Sequence, residues 1–216
     1  MPDNSLIEGV AAPLPIANLD TDQIMPKQFL RIIDKAGLDR GLLYDLRFDE
    51  HGQPRADCVL NQPAYGGAAV LVGGPNFGCG SSREHAVWGL QQFGIQVVIA
   101  SSFGEIFYSN AMNNRLLLVM LDEADVQRIL ADVANPATNR IALDLDAMTV
   151  RSHSHQASFT LGERHRRMFL EGLDMIGATL TQREEIAAFA AEHGARRPWL
   201  KDVAHKTRQA LNTQAP

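Results

Sequence analysis

Gly73-Gly74-Pro75-Asn76-Phe77-Gly78-Cys79-Gly80-Ser81-Ser82-Arg83-Glu84-His85 is the stretch on which the fold of this chain turns. Just before it, Ala68 to Val72 is a short apolar run of the kind that forms a buried strand. Just after it, Ala86, Val87, Leu90 and Phe93 recur at helical spacing, and Gly94 supplies a stop ahead of a second apolar run, Val97 to Ala100. Strand, glycine loop, helix, strand is an α/β signature. Leu116 to Leu121 predicts another buried strand, and the more alternating Ile141 to Val150 a half-exposed one. From Gly162 to His193 the pattern is helical, with Gly172 and Gly177 expected to break it into two helices. Asp34 to Pro63 is rich in Asp, Gly, Arg and Pro and predicts loop with short helices. One domain over residues 1–200 and a flexible tail over 201–216 is the expected organisation.

The glycine loop suits an anion. Glycines allow positive φ and a close approach of backbone to ligand, and the helix that follows presents unpaired N–H groups and a positive dipole end. Three familiar phosphate or nucleophile motifs nevertheless fail. A P-loop needs lysine where Cys79 stands, a dinucleotide fingerprint needs glycine where Arg83 stands, and neither Ser81 nor Ser82 sits in Gly-x-Ser-x-Gly. What remains is Ser-Ser-Arg at a helix start, where the planar fork of Arg83 can take a carboxylate bidentately and serine hydroxyls add donors. A small di- or tricarboxylic acid fits that chemistry. The same Ser81 or Ser82 could instead cap the helix, with Glu84 or His85 completing a capping network.

Bulk properties exclude several classes. The chain has 216 residues, 45% hydrophobic and 21% charged, an ordinary globular balance. A net charge of -5 argues against a broad nucleic-acid surface, which needs a basic face. No run approaches the roughly 20 apolar residues of a membrane-spanning helix, and the start lacks the pattern of a signal peptide, so a cytoplasmic protein is expected. The two cysteines, Cys58 and Cys79, lack CxxC spacing and cannot supply a full ligand set for a cluster. His85 stands alone as a metal-ligand candidate and is read as a hydrogen-bonded helix residue; no metal is assigned to the chain.

Asn76-Phe77-Gly78-Cys79-Gly80-Ser81-Ser82-Arg83-Glu84-His85-Ala86 closely resembles the swivel-domain motif of the aconitase superfamily. Its small-subunit form also has an Asp-Thr-Asp-Gln-Ile loop, matched here by Asn18 to Ile24 and followed by Pro26-Lys27-Gln28-Phe29-Leu30. The likeness extends through Ala100 to Phe107, Asn110 to Leu117 and Arg164 to Leu180, nearly the whole chain apart from Asp34 to Pro63 and the tail.

The resemblance implies a swivelling β/β/α domain that works with a separate large subunit, which holds a [4Fe-4S] cluster. It implies a reversible dehydration and rehydration that moves a hydroxyl between adjacent carbons of isopropylmalate by way of the alkene. Ser81 is then the general base, acting as an alkoxide, and Arg83 the clamp for a substrate carboxylate. Ser82 holds substrate or loop, and Gly78, Cys79 and Gly80 form the anion loop, with Cys79 packing rather than attacking. Asp22 orients a group of the large subunit, with Gln23 standing where aconitase-like chains have histidine; equally, Asp20 and Asp22 could be turn formers. Phe29 and Leu30 are expected either beside the substrate's isopropyl group or in the core. Related hydro-lyases acting on homoaconitate, citraconate or dimethylmalate, and a non-catalytic carboxylate-binding module, are the alternatives.

Overall fold

A computed structural model of the chain describes residues 5–30, 36–80 and 83–213. In chain order the elements are β1 (Leu6–Leu14), α1 (Thr21–Ile24), α2 (Tyr44–Arg47), β2 (Val70–Gly73), α3 (His85–Phe93), β3 (Val97–Ala100), α4 (Glu105–Asn113) and β4 (Leu117–Met120). They continue as α5 (Glu123–Val133), β5 (Arg140–Asp144), β6 (Thr149–Arg151), β7 (Gln156–Ser158), α6 (Glu163–Glu171), α7 (Met175–Leu180), α8 (Arg183–Arg196) and α9 (Val203–Thr213). Short 3-10 turns fill the segment after α1, as its mixed composition predicts.

The strands make one mixed sheet in the order β4-β3-β2-β1-β5-β6-β7. β1 is the pivot: Ala11 to Leu14 pair parallel with β2, while Leu6 to Val10 pair antiparallel with β5. From β1 to β4 all pairs are parallel, and from β1 through β5 to β7 all are antiparallel. Val70, Leu71, Val72, Val97, Val98 and Ile99 are fully buried, consistent with parallel strands covered on both faces. The α/β expectation and the three parallel strands read from apolar runs hold to within two residues.

Two expectations need correction. Ile141 to Val150 is not one strand but the hairpin β5–β6, because the Asp144 carboxylate accepts from the backbone of Asp146 and Ala147 and turns the chain. Gly172 does end α6, at φ 67, but Gly177 lies inside α7. The break there falls at Thr181 and Gln182, where the Thr181 hydroxyl donates to the Ala178 carbonyl at 2.7 Å and competes with the helix ladder.

The described residues fall into two compact units that meet between Met175 and Ile176 in the sequence. In the second unit the last residues are helical over Val203–Thr213, and Ile176, Phe189, Trp199 and Leu211 are exposed. No helix among the described residues is long and apolar enough to cross a membrane.

In the first unit, the β6–β7 turn is tied to α5 by one carboxylate. Asp132 accepts from the Ser152 hydroxyl at 2.6 Å and from the Ser154 backbone and hydroxyl at 2.8 Å each. Burial pushes this carboxyl up, but those bonds and the nearby His153 outweigh it and hold it below the usual carboxylate range. A depressed folded-state value stabilises the fold above the unfolded value, about 4, and the contribution is lost as pH falls through the folded one. Asp132→Asn is expected to lower the melting temperature at pH 7, with the gap from the parent closing below about pH 4 in pH-dependent thermal melts.

Candidate active site

The parallel strands β1, β2 and β3 all point the same way, so their carboxyl ends deliver three loops to one edge of the sheet. This is the edge where open α/β sheets place their ligands. The loops are laced together by main-chain bonds. Asn18 N–H donates to the Pro75 carbonyl at 2.9 Å, Gly78 N–H to Leu19 at 2.8 Å and Thr21 N–H to Cys79 at 2.8 Å. On the other side Phe77 N–H donates to Ser102 at 3.1 Å and Gly104 N–H to Phe77 at 2.9 Å. Phe77 is fully buried, its ring packed on Phe103 and Phe107, so the glycine loop is anchored in the core at its middle.

Two glycines are dictated by close approach. Gly78 has φ 74 and any Cβ there would run into the Phe107 ring; Gly80 has φ 99 and any Cβ there would strike the Asp20 carboxylate. That carboxylate is occupied: it accepts from Asp22 N–H at 2.6 Å and caps α1. Gln23 closes the capping box, its side-chain oxygen accepting from Asp20 N–H at 3.0 Å. Gln23 therefore works on its own loop, and Asp20 is the turn former of the pair. Asp22, by contrast, turns outward to charged partners.

Those partners are Arg83, at 3.7 Å, and Lys27, at 3.5 Å. The Asp22 and Arg83 side chains are 36% and 46% exposed, so the pair is wet and its attraction screened. A narrow cleft beside them, closed to water in this structure, is lined by Thr21, Asp22, Met25, Leu30, Arg83 and Ala86. The fold thus gathers Asp22, Leu30 and Arg83 from positions far apart in sequence. Phe29 is engaged elsewhere: its ring packs on Tyr44 at 5.2 Å and abuts Gly41. Ser81 and Ser82 lie outside the described residues.

Cys79 donates its thiol to the Asn18 carbonyl at 3.2 Å, and burial, with the Asp20 charge behind it, pushes the thiol up. It stays protonated at neutral pH, which suits packing and not attack. His85 departs from its expected role. Its ring lies on Trp88 at 5.0 Å, and its buried Nδ1 has no hydrogen-bond partner among the described residues. Sequence reading also passed over Asn114, which binds Glu84, Trp88 and Gln91 of α3. An asparagine after a helical stretch signals a helix end, and nothing local announces three long-range partners.

Residues 2–124 match the family model of the aconitase C-terminal domain, and residues 175–203 match that of the C-terminal domain of the 3-isopropylmalate dehydratase small subunit. Over 205 residues the chain is 69% identical to the 3-isopropylmalate dehydratase small subunit 1 of Chromobacterium violaceum, covering 95% of this chain and 97% of that one. The chain belongs to the 3-isopropylmalate dehydratase small-subunit family. It is 47% identical to small subunit 2 of Salmonella typhimurium over 90% of this chain and 94% of the relative. A crystal structure of the 3-isopropylmalate dehydratase LeuD of Methanocaldococcus jannaschii superposes with a TM-score of 0.61 at 27% identity, covering 85% of this chain and 98% of that one.

Membership in this small-subunit family makes the chain a component of a hydro-lyase of the aconitase superfamily and gives it a role in leucine biosynthesis. It also places the three laced loops within the stretch matched by the aconitase domain model, while α8 lies in the stretch matched by the second, shorter model.

Proposed function

We propose that this chain, with a separate large subunit bearing a [4Fe-4S] cluster, interconverts 2- and 3-isopropylmalate through isopropylmaleate. The observation that carries this reading is the meeting of Arg83, Asp22 and Leu30 around one closed cleft at the carboxyl edge of the parallel strands, which opens to a diacid as the exposed Asp22–Arg83 pair parts. A guanidinium beside an apolar wall is what a branched diacid asks for: a fork for the carboxylate, hydrocarbon for the isopropyl group. Asp22 keeps Arg83 partly neutralised until substrate arrives, so binding exchanges one carboxylate for another at the same cation. Asp22, released toward Lys27 or a group on the large subunit, is then placed to orient that group.

The proton to be removed sits on carbon next to a carboxylate and is weakly acidic, so the base must be strong and the developing charge must be met by cations and donors. Ser81, two residues before Arg83, is the base in this reading, its alkoxide stabilised by the guanidinium and the start of α3. The cluster, when bound on the large subunit, supplies the Lewis acidity that takes up the leaving hydroxyl. Ser82 and the N–H groups of Cys79 and Gly80 hold the anion in this reading, while the Gly78 N–H, bonded to Leu19, holds the loop. Two cysteines in the whole chain agree with a cluster held by the other subunit. Exposed apolar side chains such as Phe189 and Trp199 agree with a partner surface.

The test is alkene formation, read by ultraviolet absorbance, from the purified chain with 3-isopropylmalate, alone and after anaerobic mixing with cluster-loaded large subunit. Turnover only in the mixture supports the reading; turnover with homocitrate or citramalate analogues instead changes the substrate; no turnover of any diacid in an intact complex leaves a carboxylate-binding module. In the same assay Arg83→Lys is expected to cost about 1.5–3 kcal/mol, the worth of a charge-assisted hydrogen bond, or roughly ten- to a hundredfold in kcat/KM. The loss should fall chiefly on KM, since the clamp acts on the bound diacid.

A further inference from the structure

A single residue fastens one whole face of α3. Glu84, Trp88 and Gln91 stand at i, i+4 and i+7, the positions that line up along a helix. All three reach Asn114, the residue that ends α4. The Trp88 indole N–H donates to Asn114 Oδ1 at 3.1 Å, the Gln91 amide donates to the Asn114 carbonyl at 2.6 Å, and Asn114 Nδ2 donates to Glu84 Oε1 at 3.3 Å. Nδ2 donates again to the Asn110 carbonyl at 2.9 Å, which fixes the amide to its own helix. The orientation of this amide is set by chemistry, because an indole N–H can only donate and a carboxylate can only accept.

We infer that Asn114 is a positioning residue for the reaction: by clamping α3 along its length it fixes the direction in which the start of that helix presents Arg83. The inference rests on the reading of Arg83 as the carboxylate clamp. Glu84 follows Arg83 directly and has no capping bond of its own; beyond the core packing of Ala86 and Val87, the Asn114 amide ties the helix start to α4. The same amide holds Trp88, the platform on which the His85 ring lies. Removing it frees the helix to roll or slide by a fraction of an ångström, and a displacement of about 1 Å at reacting groups can cost on the order of a hundredfold in rate.

The experiment uses the reconstituted two-subunit enzyme with 3-isopropylmalate, measuring kcat, KM and melting temperature together. Asn114→Leu keeps the branched shape and removes the amide; kcat/KM is expected to fall roughly ten- to a hundredfold, more than for Gln91→Leu, which cuts the shortest bond but at the far end of α3. A purely structural role predicts the reverse order, with activity tracking melting temperature. Asn114→Asp sets a carboxylate against Glu84, so its kcat/KM relative to the parent should recover as pH is lowered from 8 toward 6, where the two can share a proton. Adding Glu84→Gln to Asn114→Asp restores the donor–acceptor pair between positions 84 and 114 with the roles exchanged, though not the bond to the Asn110 carbonyl, and should return a measurable part, about threefold or more, of the lost kcat/KM at pH 8. Parent-like kcat/KM in Asn114→Leu, or no recovery in the double variant, overturns the inference. If Arg83→Lys is also without effect, the clamp reading itself has failed; if Arg83→Lys is damaging and Asn114→Leu is not, only the positioning role is lost.

Discussion

Ser81→Ala in the reconstituted enzyme is expected to reduce kcat for alkene formation by at least about a thousandfold, within the range that general-base removal commands. Alanine leaves no oxygen to take the proton, and in the proposed reading water cannot replace an alkoxide stabilised by the Arg83 guanidinium and the positive end of α3. Ser81 is not the cap of α3, whose N-cap is Glu84, so the change removes no helix cap and leaves the core of the first unit, from β4 through β1 to β5, as it is. Assembly with the large subunit and affinity for the diacid should therefore survive, because the carboxylate clamp is untouched. Calorimetric or fluorescence titration of the variant complex with 3-isopropylmalate separates the two readings of the site. Lost turnover with retained binding identifies a base; retained turnover removes Ser81 from the proton transfer and returns the glycine loop to simple anion binding.

How much of this is legible in the sequence depends on the range of the interactions concerned. The strand before the glycine loop, the helix after it and its stop at Gly94 depend on neighbours in sequence, and the φ of 108 at Gly94 is the conformation a helix-ending glycine supplies. β1 is not legible. Gly9 and Pro13 interrupt its apolar character, yet it is the pivot of the sheet; Gly9 is there because a Cβ would stand 2.7 Å from Ala69 Cβ across the strand pair. Proline and glycine argue against a strand when read locally, and only the register explains them.

The site shows the same split. Arg83 and the anion loop are found because glycine and arginine chemistry is local, and the resemblance to the aconitase superfamily fixes their context. Whether Phe29 or Leu30 faces the cleft cannot be read from two adjacent apolar residues; the fold decides it by turning Phe29 onto Tyr44 and leaving Leu30 at Arg83. The different duties of Asp20 and Asp22 are equally hidden, since both are good turn residues. Asp20 is consumed by backbone N–H groups of its own loop, whereas Asp22 meets a guanidinium that enters from more than sixty positions later in sequence.

Gly80→Ala is expected to damage both stability and turnover. Two costs add. The φ of 99 lies where residues with a Cβ are strained, worth about 1–3 kcal/mol. The new methyl also drives into the Asp20 carboxylate, which must leave its cap on Asp22 N–H, worth about 0.5–2 kcal/mol. Together they give about 1.5–5 kcal/mol, which for a chain of this size lowers the melting temperature by roughly 3–20 °C. The functional cost follows from the same movement. Asp20 is bridged to Cys79 and anchors the loop that carries Asp22, so displacing it shifts the carboxylate that faces Arg83. Differential scanning fluorimetry of the isolated chain measures the first effect and the reconstituted turnover assay the second. Adding Asp20→Gly removes the clash but leaves both the φ strain and the missing cap, so the double variant should regain little stability. A Gly80→Ala chain that melts with the parent would mean that the loop relaxes freely around the methyl, and that the contact between Gly80 and Asp20 does not hold the two loops in register.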